Sequence, residues 1–340
     1  TCHQQWPMQE LEYLSACPIC NSKDHTLVHK DLRDVTFGVA AGTWNIWTCD
    51  FCSSGFLNPR PSTTTIKLAY GNYYTHEPSR TAQIHSQTHK LRTAASNGFL
   101  NWRFGTNLKP STNLGIPIAL MFPPVRRKLE QRFRQLPRIP NGGTILDLGC
   151  GNGNFVAKLT SAGITTEGVD FDTNAVRQAK SAGLNVHHGD ITYYKDATSK
   201  FDIITMSHVI EHIHNPTHCL EAVHRLLKKP GFLHMEYPNV NSLGHKTFGQ
   251  DWRGLEVPRH LTLPSIRGIQ HILKKVGFCN IRFNSCSHAF NNMFHASDEL
   301  KKQRLLHTPH TESDYPTPTK FRKRLKTASH EFISVIAEKS

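Results

Sequence analysis

Beyond Gly143 the chain falls into short apolar runs alternating with stretches whose apolar positions recur every three to four residues. Thr144–Leu148 reads as a strand that runs into glycines, and residues 155–162 as a helix closed by Gly163. Residues 166–169 form the next strand; a helix that Thr173 can cap then runs to Ser181 and stops at Gly183. Val186–His188 and residues 201–206 and 232–236 read as further strands. An amphipathic helix over 217–227 and the turn signal Lys229-Pro230-Gly231 separate the last two. Residues 265–276 are helical, and 279–283 and 332–337 close the series as strands. Buried strands alternating with helices predict an α/β fold with a doubly wound sheet covered on both faces.

The first 140 residues are patterned differently. Residues 1–60 carry two C-x2-C pairs, Cys17/Cys20 and Cys49/Cys52, separated by 28 residues. Residues 61–140 are rich in Thr, Ser, Asn and basic side chains and are punctuated by prolines, which predicts short helices and loops. The expected organisation is a zinc-ribbon-like domain over 1–60, a basic helical linker or lid over 61–140, and a cofactor-binding domain over 141–340. Four thiolates in two knuckles match a closed, tetrahedral, structural Zn²⁺ site, with Cys17, Cys20, Cys49 and Cys52 as ligands. Trp44, Trp47, Phe51 and Phe56 flank the second knuckle, where they can pack or stack on bases. The other cysteines, Cys2, Cys150, Cys219, Cys279 and Cys286, show no pairing pattern, which points to a reducing compartment and a cytoplasmic protein.

Composition narrows the partners. Lys and Arg number 40 against 26 Asp and Glu, a net charge of +14 that favours polyanionic partners. From Thr81 to Pro140 there are ten basic residues and one acid, Glu130, and a second basic run spans Lys320 to Lys326. The longest apolar stretch, within 114–122, is about half of what a membrane span needs, so no transmembrane segment is expected. Thr1-Cys2-His3-Gln4-Gln5 lacks the layout of a secretory signal. Residues 114–124, followed by Arg126-Arg127-Lys128, read either as a buried connector or as a lid or membrane-surface element suited to a lipid-linked glycan.

The densest chemistry lies at the first strand-to-helix junction, Asp147-Leu148-Gly149-Cys150-Gly151-Asn152-Gly153-Asn154. Such a loop lets a ligand approach backbone N–H groups closely. A dinucleotide loop would carry its third glycine at position 154, which is Asn; here the pattern is D-x-G-x-G-x-G. The leading carboxylate suits a cationic amino group rather than a pyrophosphate. Asp170, at the end of the second strand, can bind ribose hydroxyls, and Asp190, at the end of the third, can meet an adenine amino group. An ammonium, a ribose and an adenine without phosphate describe S-adenosylmethionine.

On these residues, together with Phe201-Asp202-Ile203-Ile204, His208-Val209-Ile210-Glu211-His212, Arg225 to Gly231 and Tyr237-Pro238-Asn239, the chain resembles the class I S-adenosylmethionine-dependent methyltransferases. The resemblance implies a Rossmann-like seven-stranded sheet of order 3-2-1-4-5-7-6 with the last strand antiparallel. It also implies a cofactor set of Asp147, Gly149, Cys150, Gly151, Gly153, Asp170, Phe171, Asp190, Ile191 and Ser207. The cysteine knuckles, Phe56 to Pro61 and the segment Tyr70 to His76 look like methyltransferases of sugar and polysaccharide gene clusters, relatives of the nucleotide-sugar C-methyltransferases. Their catalytic loop ends in Tyr-x-Glu-His; His260 falls on that His, while Val257 and Arg259 stand where the family has Tyr and Glu. His260 is the expected general base, with Glu256 the nearest substitute carboxylate, Tyr73 or Tyr74 a substitute phenol, and His208 the reserve base. His208, Glu211, His212 and His214 could also place three ligands around a divalent ion, as a similar stretch of ubiquinone-type O-methyltransferases suggests; the favoured reading makes Glu211 and His212 structural.

Two functions follow. The first is methyl transfer to a hydroxyl or carbon of a small-molecule or sugar/glycan precursor. The alternative is an RNA methyltransferase whose zinc ribbon and basic linker grip phosphates. Ser207-His208-Val209-Ile210, where RNA base methyltransferases carry N/D-P-P-Y/F, argues against the second.

Overall fold

The computed structural model describes residues 6–7, 10–71, 87–286, 290–306 and 329–340. Strands β1 (Leu11–Glu12), β2 (His25–Leu32), β3 (Trp44–Cys49), β4 (Gly55–Leu57) and β5 (Arg60–Pro61) come first, then helices α1 (Gln87–Phe104), α2 (Gly115–Met121) and α3 (Pro123–Gln131). The alternating part follows as β6 (Thr144–Leu148), α4 (Asn154–Ser161), β7 (Thr165–Asp170), α5 (Thr173–Ser181), β8 (Val186–His188), β9 (Phe201–Ser207), α6 (Pro216–Leu226) and β10 (Leu227–Pro238). The remaining elements are α7 (Leu243–Phe248), β11 (Thr262–Leu263), α8 (Ile266–Val276), β12 (Cys279–Cys286), α9 (Phe290–Leu306) and β13 (Phe332–Lys339).

Seven of these strands form one sheet in the order β12-β13-β10-β9-β6-β7-β8, with β6 parallel to both β7 and β9 and β7 parallel to β8. Counted along the chain, that order is the expected 3-2-1-4-5-7-6. Two details differ from the sequence reading. Asp172, not Thr173, caps α5: its carboxylate accepts the N–H groups of Asn174 and Ala175, because a one-residue-earlier acceptor reaches the orphan first-turn donors. Strand β10 also begins at Leu227, so Lys229-Pro230-Gly231 lies within it rather than before it.

The chain divides into two compact units. The first comprises Thr1–Tyr73, Ser207–Glu221 and Met235–Ala337; the second comprises Tyr74–Met206, Ala222–His234 and Glu338–Ser340. In the first, β11, β4, β3 and β2 make a four-stranded antiparallel sheet, with Thr262 opposite Phe56 and Trp47 opposite Phe56 on the other side. Trp44, Ile46, Leu57, Trp252, Leu255, Leu261 and Leu263 share its core. In the second, Phe99, Leu100 and Phe104 of α1 pack with Phe133, Leu136 and Ile139 onto Ile145, Leu159 and Ile203. Helix α1 is 18 residues long, longer than the short helices expected there, because its apolar end has a sheet to cover. Residues 114–125 are not a buried connector: Leu114, Ile118, Leu120, Met121, Phe122 and Val125 are all exposed. Among the described residues no helix is long and apolar enough to cross a membrane.

Candidate active site and metal centre

Two chain turns of the same design build the cysteine cluster. In the first, the Cys17 N–H donates to the Ser22 carbonyl and the Asn21 N–H to the Cys17 carbonyl; in the second, Cys49 and Ser53 repeat the pattern with Ser54 and Cys49. Asn21 and Ser53, at the matching position, both take left-handed backbone (φ 65° and 59°). The turns bring Cys17 Sγ to 3.7 Å from Cys52 Sγ and Cys20 Sγ to 3.5 Å from Cys49 Sγ. All four sulfurs lie within 4.8 Å of one another. A tetrahedral zinc with Zn–S bonds near 2.3 Å sets its sulfurs about 3.8 Å apart, so the spacing fits that ion. Trp44 and Phe56 beside the knuckles are buried, and the Trp47 indole donates to the Asn58 carbonyl, so these aromatics pack.

The knuckles are fastened to a distant part of the same unit. Ser265 Oγ donates to the Cys52 carbonyl, the Ser265 N–H donates to Ser54 Oγ, and the same Ser265 hydroxyl caps α8. Leu57 N–H donates to Leu261 O, and Leu261 N–H to Glu211 O. Thus one ladder runs from the cysteines through β4 to the segment that bears His260 and on to the turn that bears Glu211.

That segment and that turn together carry the acid–base groups. His260 is buried, and its Nδ1–H donates to the Gly254 carbonyl at 2.8 Å, which leaves the lone pair on Nε2. Burial, with help from His212, holds His260 down to about 4 against the pull of Glu256 and Glu211, so it is neutral at physiological pH. His212 Nδ1 lies 3.0 Å from both the Tyr70 hydroxyl and the Arg259 carbonyl, and its ring meets that of His260 edge-on at 4.9 Å. Glu211 is fully buried, with its Oε1 3.3 Å from His208 Nδ1. Ligand atoms of Glu211, His212 and His260 lie within 4.8 Å of one another, a spacing open to a divalent ion.

The other predicted groups have different surroundings. His208 takes left-handed backbone (φ 56°) and stands 3.3 Å from Glu211 and 3.6 Å from Glu236. Those two carboxylates outweigh desolvation and raise it to about 10, so it is a cation rather than a base. Glu256 bonds Arg253 at 2.5 Å and sits 3.9 Å from His260 Nε2; burial works against its charge, but His260 and Arg253 hold it down to about 2. It is a fixed counter-charge. His214 is drawn off to the Pro61 carbonyl at 3.0 Å, away from the expected ion site. Tyr73, Tyr74 and the basic run Lys320 to Lys326 lie outside the described residues.

In the second unit the glycine loop opens where β6 ends. Gly149, Gly151 and Gly153 have φ of 73°, 54° and 77°, a left-handed sequence that side chains resist. The Gly149 and Cys150 N–H groups donate to Val169 O, and the Gly151 N–H donates to Asp170 Oδ2 at 2.7 Å. Asp170 Oδ1 accepts the Asp172 N–H, so this carboxylate ties the loop to the end of β7. Phe171 beside it is exposed, Asp190 is exposed and accepts from Thr192, and Ile191 is buried. Ser207, at the end of β9 where the chain re-enters the first unit, is half-buried. Cys150 is buried, its thiol pushed up by burial, and it packs against Val156 and Val176. Asp147 is enclosed: one oxygen accepts from Arg134 at 2.7 Å, the other has no partner, and burial raises it.

The sequence assigns no role to Arg134, Tyr70 or Arg259. Arg134 neutralises Asp147, donates to Thr205 and lies over Phe155. Arg259 is completely buried on the Asp34 carboxylate and the Ala69 carbonyl, locking the His260 loop to the segment that ends in Tyr70. No local spacing announces partners 225 residues apart.

A strand, three left-handed glycines and a second-strand carboxylate match a known pattern. Residues 121–282 match a family model described as a methyltransferase domain. The match takes in just under half of the chain. The chain is 34% identical across 103 residues to a ubiquinone biosynthesis O-methyltransferase of Glaesserella parasuis, covering 27% of this chain and 44% of the relative. A protein of the same name from Paracidovorax citrulli is 28% identical over 135 residues, covering 34% and 57%. The chain thus spans about half the length of the curated relatives it matches. Among solved structures, a SAM-dependent methyltransferase from Archaeoglobus fulgidus aligns with a TM-score of 0.45 at 21% identity, over 63% of this chain and 94% of that one.

Proposed function

We propose that this chain is an S-adenosylmethionine-dependent methyltransferase acting on a hydroxyl or carbon of a small-molecule or sugar/glycan precursor, with a structural zinc ion on Cys17, Cys20, Cys49 and Cys52. The end of β6 carries the cofactor half: three alternate left-handed glycines whose middle N–H is held by Asp170. Asp170 for the ribose, the exposed Phe171 for the adenine ring and Asp190 for its amino group lie at successive strand ends. Bound there, the cofactor would supply a methyl on a sulfonium, already a good leaving group. The protein then has to align the acceptor and remove its proton. His260 is suited to the second task, since Gly254 fixes its tautomer and burial keeps its Nε2 unprotonated. Glu256 is its positioning residue. The named reaction of the relatives, an O-methylation in ubiquinone biosynthesis, favours oxygen as the acceptor atom.

RNA as acceptor is the weaker reading, because Trp44, Trp47, Phe56 and the Cys52 carbonyl are engaged inside the first unit, which leaves Phe51 as the one exposed aromatic of the four beside the knuckle. A second reading of the histidine cluster is favoured by the close spacing of its ligand atoms: a divalent ion on Glu211, His212 and His260 that would hold the acceptor. Incubation with cofactor labelled at the methyl group and fractionated cell extract tests the proposal. Label in glycan or small-molecule fractions is expected; label in RNA would overturn it. Activity lost to EDTA and restored by magnesium would favour the ion over the base.

A further inference from the structure

Helix α2 turns its faces inside out for a helix packed on protein. Its buried positions are the small ones, Gly115 and Ala119, one turn apart. A Cβ on Gly115 would stand 1.8 Å from the Ala95 carbonyl oxygen of α1, so α2 lies on α1 backbone to backbone. Leu114, Ile118 and Met121, at i, i+4 and i+7, therefore form an apolar stripe that faces solvent, and Phe122 and Val125 extend it across the joint into α3. Their exposures run from 43% to 74%, where that spacing normally marks the face turned to the core. Arg126, Arg127 and Lys128 follow on α3, the last two exposed. The sole acid of residues 81–140, Glu130, already bonds Arg103 at 3.1 Å and does not offset them.

We propose that this face docks on the surface of an anionic lipid bilayer, with the five apolar side chains at the headgroup–acyl boundary and the Arg126-Arg127-Lys128 cluster on lipid phosphates. An apolar stripe bordered by cations is what such an interface selects. A polyphosphate chain would meet the cations but leave the stripe uncovered. A second copy of the chain would cover the stripe but set two cationic borders against each other.

Flotation of the full chain, without cofactor, on vesicles of phosphatidylcholine with added phosphatidylglycerol tests this independently of the proposed activity. The chain is expected to float with the anionic vesicles and not with phosphatidylcholine alone. Met121→Ser with Phe122→Ser should lower partitioning tenfold or more, and replacing Arg126, Arg127 and Lys128 by Gln should lower it about fivefold per cation. Both variants change solvent-facing side chains, and unaltered circular dichroism shows that they fold. Equal recovery on phosphatidylcholine alone, or undiminished flotation of the double Ser variant, would overturn the proposal. So would RNA retention without flotation, or a dimer in sedimentation, without flotation, that the double Ser variant dissolves.

Discussion

The glycine loop and the histidine cluster are built on opposite plans. The loop is backbone: three left-handed glycines and N–H groups anchored within a few residues of β6 and β7. The cluster is side chain: Tyr70, Glu211, His212 and His260 come from three separate stretches, and the distances among them depend on Arg259, on Leu261 and, beyond these, on the cysteine sheet. A locally closed loop survives damage elsewhere, whereas a cluster assembled through one ladder fails with any rung.

The sharpest way to break the comparison is to remove the cysteine site. Cys49→Ser, or strong chelation, should abolish turnover and expose the cysteine sheet to protease while calorimetry still finds cofactor bound at the glycine loop. Structural zinc sites carry about 10–16 kcal/mol of apparent binding energy, enough to decide folding. Cofactor binding lost in parallel would mean that the loop is not self-sufficient. Less drastically, His260→Ala should cut turnover about 10²–10⁴-fold with cofactor affinity unchanged. A change within threefold across neutral pH would demote His260 to a loop residue.

Acid should separate the units next. Burial holds His260 near 4, below its ordinary value, so the folded state binds fewer protons than the unfolded chain between the two. Its stability is full above about pH 6.5 and falls as pH drops toward 4, by about 3 kcal/mol at most. His29, lowered to about 4 chiefly by burial, acts in the same direction, whereas the stabilisation from His208 is complete below pH 6.5 and fades only as pH rises through about 10. Urea titrations should find the first unit weakened near pH 5, and less so in His260→Ala. The smallest effect is expected at the loop. Asp170→Ala should weaken cofactor binding tenfold or more, about 1.5–3 kcal/mol for hydrogen bonds to a charged group. Unchanged affinity would take the ribose away from Asp170.

How much of each region could be read in advance follows from the same contrast. Gly149 to Gly153 and Asp170 announce themselves because a loop made of backbone leaves its demands in consecutive letters. The C-x2-C spacing is legible for a similar reason, although Asn21 and Ser53 at the left-handed positions give no glycine to mark the turn. Tyr70 and His212 are 142 residues apart and Arg259 and Asp34 are 225 apart, so nothing periodic links them. His208 reads as a base until Glu236, from another strand, makes it a cation. The apolar run at 114–122 suggests burial because side-chain size normally decides which face is inside; here the close approach of α2 to α1 selects Gly115 and Ala119 instead.

The hydrogen-bonded pairing of β11 with β4 has a practical consequence for anyone dividing the gene. The stretch that matches the methyltransferase domain, 121–282, takes β11 without β4 and cuts β12 short, and it omits β13, which lies between β12 and β10. Expressed alone, it would present bare strand edges and the uncovered Leu261 and Leu263 to neighbouring molecules, and should aggregate rather than fold.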